Sequence, residues 1–469
     1  METNNSSGIN ISVRSFLTAI IVIAILMIAA FGLTFLIPGG EYARMPDANG
    51  NSIIDVDSGF TFVDGGLPFW KWILSPLLVL GVEGGGTIIA ILAFLLVVGG
   101  VFNSLEACGL LSYMLGKIVH RFASKRYQLL CIITFFFMAM GAFIGSFEEC
   151  VPLVPIVVAL SVSLGWDKMT GMGMSLLAAG CGFASGVCNP FTVGVAQSLA
   201  GLPMFSGIWL RAIGFVLIYA LLIAFLLHHA KKTDNANHIS THSASTFSSS
   251  KQMDEALLLF ACILGAGILI VLSSGIITAL QDYTMIIIAV MFLIAGISAT
   301  LRAKVTGRVL MRTFGKGVIS ILPAVLLILM ASSIKYILTE AHILDTLLHW
   351  AVQAMGNLPN RAVILFIYLI VLVMNFFISS GSAKAFLLIP LIVPMAQFFS
   401  IEPQLCVMAF AFGDGFSNVF YPTNAALLIA LGLADVGYGK WIRFSWKFQV
   451  LNLILTSILL LVGLGIGYR

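Results

Sequence analysis

Four ionisable residues stand out because they lie within long apolar stretches of the sequence. Glu148 and Glu149 come shortly after a Gly-Ser pair, Lys384 follows a Ser-Gly-Ser sequence, and Asp414 lies between two glycines. If these stretches cross a membrane, each ionisable side chain costs about 2.5–3.5 kcal/mol on insertion and therefore needs a role. Three acids against one base leave an excess of negative charge, which favours a proton, a sodium ion or a cationic group over a dianion.

Uncharged polar residues lie beside these four at predicted helix breaks. A helix that begins in mid-membrane presents free N–H groups, which bind a carboxylate. Pro190 and Pro422 disfavour helix at the preceding residue and so free backbone carbonyls. The residues predicted to bind a small polar substrate are Ser146, Glu148, Glu149, Asn189, Thr192, Ser380, Gly381, Ser382, Lys384, Thr423 and Asn424. Those predicted to bind a coupling ion, Na⁺ or H⁺, are Glu149, Asp414 and Asn418.

Two alternatives give these residues a purely structural role. Glu148 or Glu149 could pair with Lys384, and this neutral pair would fix how the two halves of the chain pack. The uncharged residues could make ordinary hydrogen bonds between helices. Both alternatives stay open at the level of the sequence.

The composition excludes a water-soluble enzyme. Of 469 residues, 60% are hydrophobic and only 9% are charged, against about 25% charged in a soluble domain. The formal charge of +4 is not gathered in one patch, which argues against a nucleic-acid partner. The seven cysteines lack the paired spacing of a metal or redox site, and we expect no resident cofactor. Neither a phosphate-binding loop nor a zinc-binding helix motif is present, and no nucleophile, base and orienting group form an enzyme site.

The apolar runs predict an all-α polytopic membrane protein, because about 20 apolar residues cross a bilayer as a helix. Simple spans are predicted near 16–37, 86–104, 207–228, 255–275, 283–301, 316–338 and 441–468. Two other stretches are interrupted. We predict re-entrant hairpins at about 127–166 and 362–400, and broken helices at about 170–200 and 403–433.

The chain is predicted to contain two repeats. A polar segment at 229–253 predicts a flexible cytoplasmic linker, which separates a first repeat at 1–228 from a linking helix and second repeat at 254–469. Gly-x-Trp-x-Arg occurs at 207–211 and again at 439–443. Each copy follows a proline break. We therefore expect a duplication.

Basic residues predict the orientation of the repeats, since short loops rich in Lys and Arg stay in the cytoplasm. Four basic clusters, at 117–126, 231–232, 302–316 and 440–447, are expected inside, and the acidic loop 38–71 is expected outside. These positions agree only if the two hairpins enter from opposite sides, as in inverted-topology repeats. The N-terminus would then be cytoplasmic and the C-terminus outside.

Five motifs in order along nearly the whole chain resemble the YfcC-like branch of the anaerobic C4-dicarboxylate carrier family. They are Ile37-Pro38-Gly39-Gly40-Glu41-Tyr42, Phe147-Glu148-Glu149-Cys150, the nine residues from Asn189 to Gln197, Ser380-Gly381-Ser382-Ala383-Lys384-Ala385 and the seven residues from Phe412 to Asn418. The resemblance implies a secondary transporter of the ion transporter superfamily in the bacterial inner membrane, working as a homodimer by an elevator movement.

The resemblance and the excess of acid together favour an amino acid as substrate, a basic one in arginine/ornithine-type exchange. A C4-dicarboxylate is the alternative within the family. A channel is the alternative from another class, and it would need a continuous polar pore. A receptor that does not transport is a further alternative.

Overall fold

The structure is a computed structural model that describes residues 13–46, 52–54, 59–82, 85–145, 147–203, 205–234, 250–273, 283–356 and 358–469. It is mostly helical, as predicted. In the described residues, six helices are long and apolar enough to cross a membrane. A seventh is added if the helix Gly307–Glu340, bent by 41° beyond Pro323, is counted as one span. Proline is a common cause of such a bend.

The first half of the chain contains ten helices in the described residues. They are α1 Val13–Leu36, α2 Phe69–Leu78, α3 Gly85–Ala107, α4 Leu110–Phe122, α5 Arg126–Ala139, α6 Val154–Ser163, α7 Lys168–Met172, α8 Ala178–Ser185, α9 Val195–Leu199 and α10 Ile208–Lys232. π-helical turns at Met140–Ile144, Gly173–Leu177 and Pro190–Gly194 extend three of them, and a 3₁₀ segment at Glu148–Leu153 precedes α6.

The second half contains nine helices in the described residues. They are α11 Lys251–Ser273, α12 Thr284–Arg302, α13 Gly307–Glu340, α14 Ile343–Met355, α15 Asn360–Phe377, α16 Gly381–Phe398, α17 Pro403–Asn418, α18 Ala425–Leu433 and α19 Tyr438–Gly465. From α13 onward the order repeats that of α3–α10: a long helix, a 13-residue helix, a hairpin, a broken helix and a final long helix.

Some elements were not predicted. The short helices α2, α4 and α14 are too short for the 20-residue criterion of a span. The loop 38–71 contains the antiparallel strands β1 Gly39–Tyr42, paired with β4 Phe60–Val63, and β2 Arg44–Pro46, paired with β3 Ser52–Ile54.

The polar linker is shorter than the range 229–253 predicted from composition. Helix α10 continues to Lys232, and α11 begins at Lys251. Asp234 fixes the end of α10, since its carboxylate accepts hydrogen bonds from Arg126 at 2.8 and 2.6 Å and from Tyr127 at 2.7 Å. Residues 235–249 lie outside the described residues.

Each hairpin and each broken helix is interrupted by residues suited to a turn. Gly145 ends the first arm of the first hairpin with φ of +76°, and Gly186 ends α8 with φ of +51°. Both values lie in the left-handed region that glycine adopts without a steric cost. In the second half, Ser380 and Asn424 are N-caps of α16 and α18.

The helices pack in two groups. One bundle consists of α1, α3, α11, α12 and α13, and the other contains the hairpins and broken helices. In the second group, α17 packs against both α15 and α8, so the two halves of the chain meet there. This meeting point holds the polar residues.

Ion pairs identify two ends of the molecule. At one end lie Lys117–Asp254, Arg126–Asp234, Lys168–Asp435 and Arg302–Glu255, and at the other lie Arg44–Asp345, Lys71–Glu340 and Arg469–Glu402. Helix α13 runs from the first end, here called the basic end, to the second.

Candidate substrate and ion site

An ion pair between Lys384 and Asp414 forms the centre of the candidate site. Lys384 Nζ lies 2.5 Å from Asp414 Oδ1, and both side chains are fully buried. The ammonium also donates hydrogen bonds to the Ile378 carbonyl at 3.0 Å and to Asn375 Oδ1. Lys384 lies in the first turn of α16, on the side that faces α15 and α17. For this reason its partner in the described part of the chain is Asp414 rather than Glu148, which corrects that pairing considered from the sequence; the alternative with Glu149 involves a side chain outside the described residues.

Asn375 connects the second hairpin to the broken helix. Its Nδ2 lies 2.9 Å from the Asp414 carbonyl, 2.6 Å from Ser417 Oγ and 3.0 Å from Asn418 Oδ1. Asn418 Oδ1 also accepts a hydrogen bond from Asn424 Nδ2 at 3.1 Å. Asn375 was not among the residues predicted from the sequence, although a lone amide just before the Ser-Ser-Gly-Ser tip was a usable signal.

The tip of the second hairpin contacts the broken helix of the first half. Ser382 Oγ donates a hydrogen bond to the Phe191 carbonyl at 2.8 Å. A Cβ on Gly381 would lie 2.6 Å from Thr192 Cγ2 and 2.7 Å from Asp414 Oδ2. The backbone therefore approaches so closely that only glycine fits without a shift. Predicted residues from both halves are together here.

Four buried polar atoms around this contact have no hydrogen-bond partner in the described part of the chain. They are Asp414 Oδ2, Thr192 Oγ1, Asn189 Nδ2 and Thr423 Oγ1. A buried polar group without a partner costs about 1–3 kcal/mol, so proteins retain few of them. Their concentration at the helix breaks suits a polar ligand.

The first hairpin brings an acid to the same region. A Cβ on Gly145 would lie 2.2 Å from Asn189 Oδ1, so this tip packs closely on its own broken helix. Glu148 is half-buried, and its carboxyl interacts electrostatically with that of Asp414. Ser146 lies outside the described residues, as does the side chain of Glu149.

Two predicted residues act as helix caps. Asn424 Oδ1 accepts the Leu427 N–H at 3.1 Å, and Ser380 Oγ accepts the Ala383 N–H at 3.4 Å. Among the residues that the structure describes, no three His, Cys, Asp or Glu side chains form a metal site.

Comparison with known proteins assigns the chain to a family. The family model described as DcuC, C4-dicarboxylate anaerobic carrier, matches residues 16–465. The chain belongs to the DcuC family. This confirms the resemblance drawn from the five motifs and makes the chain a membrane transporter of that family.

Two curated proteins are similar to this DcuC-family chain. One, from Escherichia coli strain K12, bears the name "Putative basic amino acid antiporter YfcC" and is 29% identical over 408 residues, 82% of this chain and 79% of that protein. The other, an uncharacterized protein of Haemophilus influenzae, is 23% identical over 509 residues, 96% of this chain and 97% of that protein.

Two solved transporter structures resemble this DcuC-family chain more distantly. The YdaH transporter of Alcanivorax borkumensis has a TM-score of 0.45 and 18% identity, covering 96% of this chain and 99% of that one. MtrF of Neisseria gonorrhoeae, titled as one of a class of antimetabolite efflux pumps, has a TM-score of 0.46 and 15% identity, covering 94% of each chain.

Proposed function

We propose that the protein is a secondary transporter of the bacterial inner membrane for a small charged organic metabolite, coupled to an ion or a counter-substrate. The favoured substrate is an amino acid, a basic one in arginine/ornithine-type exchange. The substrate carboxylate would bind at the start of α16, at Ser380–Ser382, where backbone N–H groups and the positive end of the helix dipole favour an anion. The cationic group of the substrate, or a coupling Na⁺ or H⁺, would bind near Glu148 and Glu149.

The distribution of charge carries this proposal. Lys384 neutralises Asp414 within the second half, so this base is not free to pair with Glu148 or Glu149, and we assign these two acids to a proton or a cationic group. A C4-dicarboxylate would bring two more negative charges to this region, whereas a basic amino acid brings cationic groups as well as one carboxylate. The name of the E. coli relative points the same way.

The element order and the ion pairs support inverted repeats and an elevator movement. Both arms of the first hairpin have their outer ends at the basic end, because Arg126 begins α5 and Lys168 follows α6. In contrast, Glu402, which follows the second hairpin, pairs at the opposite end. The bundle of α1, α3, α11, α12 and α13 would be the fixed scaffold of a homodimer, and the group with the hairpins would move.

Counterflow into proteoliposomes tests the substrate class. Purified protein is reconstituted with arginine, ornithine, succinate or fumarate inside, and uptake of the labelled compound is measured. We expect saturable exchange of arginine for ornithine and little exchange of dicarboxylates. Exchange of the dicarboxylates alone would show that the protein is a C4-dicarboxylate carrier. Flux without saturation or counterflow would indicate a channel.

The glutamates of the first hairpin are tested by Glu148→Gln and Glu149→Gln. If they bind the cationic group, each variant should lose most counterflow yet remain folded by size-exclusion chromatography. Glu255→Gln is the matched control, because Glu255 pairs with Arg302 at the exposed basic end. Full activity of Glu149→Gln would leave Glu149 with a packing role only.

A further inference from the structure

The Lys384 ammonium lies among oxygen atoms of the kinds that bind a metal cation. They are a carboxylate oxygen of Asp414, the amide oxygen of Asn375 and the backbone carbonyl of Ile378. Ile378 is the C-cap of α15, and half-helix C-terminal ends with free carbonyls bind Na⁺ in discontinuous membrane helices. The negative end of the helix dipole adds to the attraction for a cation there.

The site is closed around the ammonium. Lys384 and Asp414 are fully buried, and Asn375 is 1% exposed. The second carboxylate oxygen, Asp414 Oδ2, has no protein partner among the described residues and lies on the side of Gly381 and Thr192. The carboxylate thus contacts the ammonium with one oxygen and faces the hairpin tip with the other.

The first hairpin lacks this arrangement at its equivalent positions. When the numbering of the first half is shifted by 235 residues, the last residue of the first hairpin, Ser163, aligns with that of the second, Phe398. The first residues of the next helices, Lys168 and Pro403, align as well. The same shift matches Lys384 with Glu149, Asn375 with Met140 and Asp414 with Ala179.

A contact supports this register. The Asn375 side chain lies 2.9 Å from the carbonyl of residue 414. In the first half, a Cβ on Gly141, next to Met140, would lie 2.2 Å from the carbonyl of Ala179. The second half therefore holds a base and an acid where the first half has an acid alone.

We propose that Lys384 is a tethered cation that occupies the ion site of the second hairpin, so that this half needs no dissociable Na⁺ during transport. The first hairpin, with Glu149 at the equivalent position, is then the half that binds the exchangeable cationic group. This inference rests on the proposed transport function. It specifies that the ion site of the second hairpin is filled by the Lys384 ammonium and that of the first hairpin by an exchangeable cation.

Lys384→Ala tests the proposal because it removes the ammonium and leaves its oxygen ligands. In choline chloride the variant should lose at least tenfold in counterflow. NaCl or methylammonium chloride at the same ionic strength should restore part of it. Added Na⁺, compared with choline, should also raise the melting temperature of the variant by at least about 2 °C more than it raises that of the wild type, the size expected for a ligand well above its Kd.

The double variant Lys384→Ala/Asp414→Asn is the matched control. It lacks the anionic ligand, so the Na⁺-dependent shift should fall back to that of the wild type. A shift that stays larger than in the wild type would locate the added cation elsewhere and overturn the proposal, as would a folded Lys384→Ala protein that neither cation stabilises or restores, or one fully active in choline.

A second variant keeps the test decisive if Lys384→Ala does not fold. Lys384→Met/Asp414→Asn removes both charges with side chains of similar size. If Lys384 is a tethered cation, this variant should fold but lose counterflow, and no added cation should restore it. Retained counterflow would show that the ion pair serves only in packing. The melting-temperature shift needs no substrate, so it separates failure of this inference from failure of the proposed substrate class, which the wild-type counterflow measures.

Discussion

Gly381→Ala should disrupt the contact between the second hairpin and the first broken helix. The added Cβ would lie 2.6 Å from Thr192 Cγ2, whereas carbon atoms pack at about 3.5–4.0 Å. The tip must therefore move by about 1 Å. Adding a methyl group to a packed site costs about 1–3 kcal/mol, and a displacement of 1 Å can lower the rate of a positioned reaction by about 100-fold.

Counterflow and the melting temperature of purified protein measure the two effects. We expect a loss of at least tenfold in counterflow, with a melting temperature lowered by a few degrees. Gly315→Ala in α13 is the matched control, because no atom lies within 4 Å of its added Cβ, and alanine there favours helix by about 1 kcal/mol. Unchanged transport and stability in Gly381→Ala would refute the close approach on which the description of the site depends.

Two further substitutions test the hydrogen bonds around the site and at the basic end. Asn375→Ala removes the amide that bonds Asp414 and should lower the free energy of unfolding by about 1–3 kcal/mol, measured as a lower melting temperature with reduced counterflow. Burial opposes ionisation of Asp167, but hydrogen bonds from His229 and Thr170 outweigh it and hold the pKa of Asp167 below its usual value. A lowered pKa stabilises the fold above the unfolded pKa of about 3.9 and the effect is lost as pH falls through the folded pKa. Asp167→Asn should therefore lower the melting temperature at pH 7 to 5, and the difference from wild type should shrink below about pH 4; a difference independent of pH would contradict this.

The sequence predicts part of the membrane helices. Of the six described helices long enough to span, Ile88–Ala107, Ile208–Lys232 and Tyr438–Gly465 were predicted as spans, whereas the other three are arms of the predicted hairpins. Both the apolar runs and the breaks depend on local properties. Long apolar runs form the long helices, and glycine or capping polar residues lie at each break. The short helix α4 was not predicted because it is amphipathic: its 13 residues form one apolar and one polar face and do not make a continuous apolar run. Strands of three or four residues give even less signal.

The partner of Lys384 could not be predicted from sequence, because it depends on which side of α16 faces α17. Composition shows three acids and one base in apolar segments, but it does not show which acid lies within reach. Asn375 was missed for a related reason. A single amide in a helix is significant only once the atoms around it are known, and here they belong to residues about 40 positions further along the chain.

The location of the ion pair bears on the proposed movement of the hairpins. Lys384 and Asp414 both belong to the second half, whereas the hydrogen bond between the halves at the hairpin tip, from Ser382 to the Phe191 carbonyl, joins neutral groups. Breaking a neutral hydrogen bond costs about 0.5–1.5 kcal/mol, but removing one partner of a buried ion pair costs about 3–5 kcal/mol. A pair between Lys384 and the first hairpin would have to separate in any movement that parts the two hairpins. With Asp414 as its partner, the ammonium stays bonded within the second half, so the proposed movement need not separate this buried ion pair.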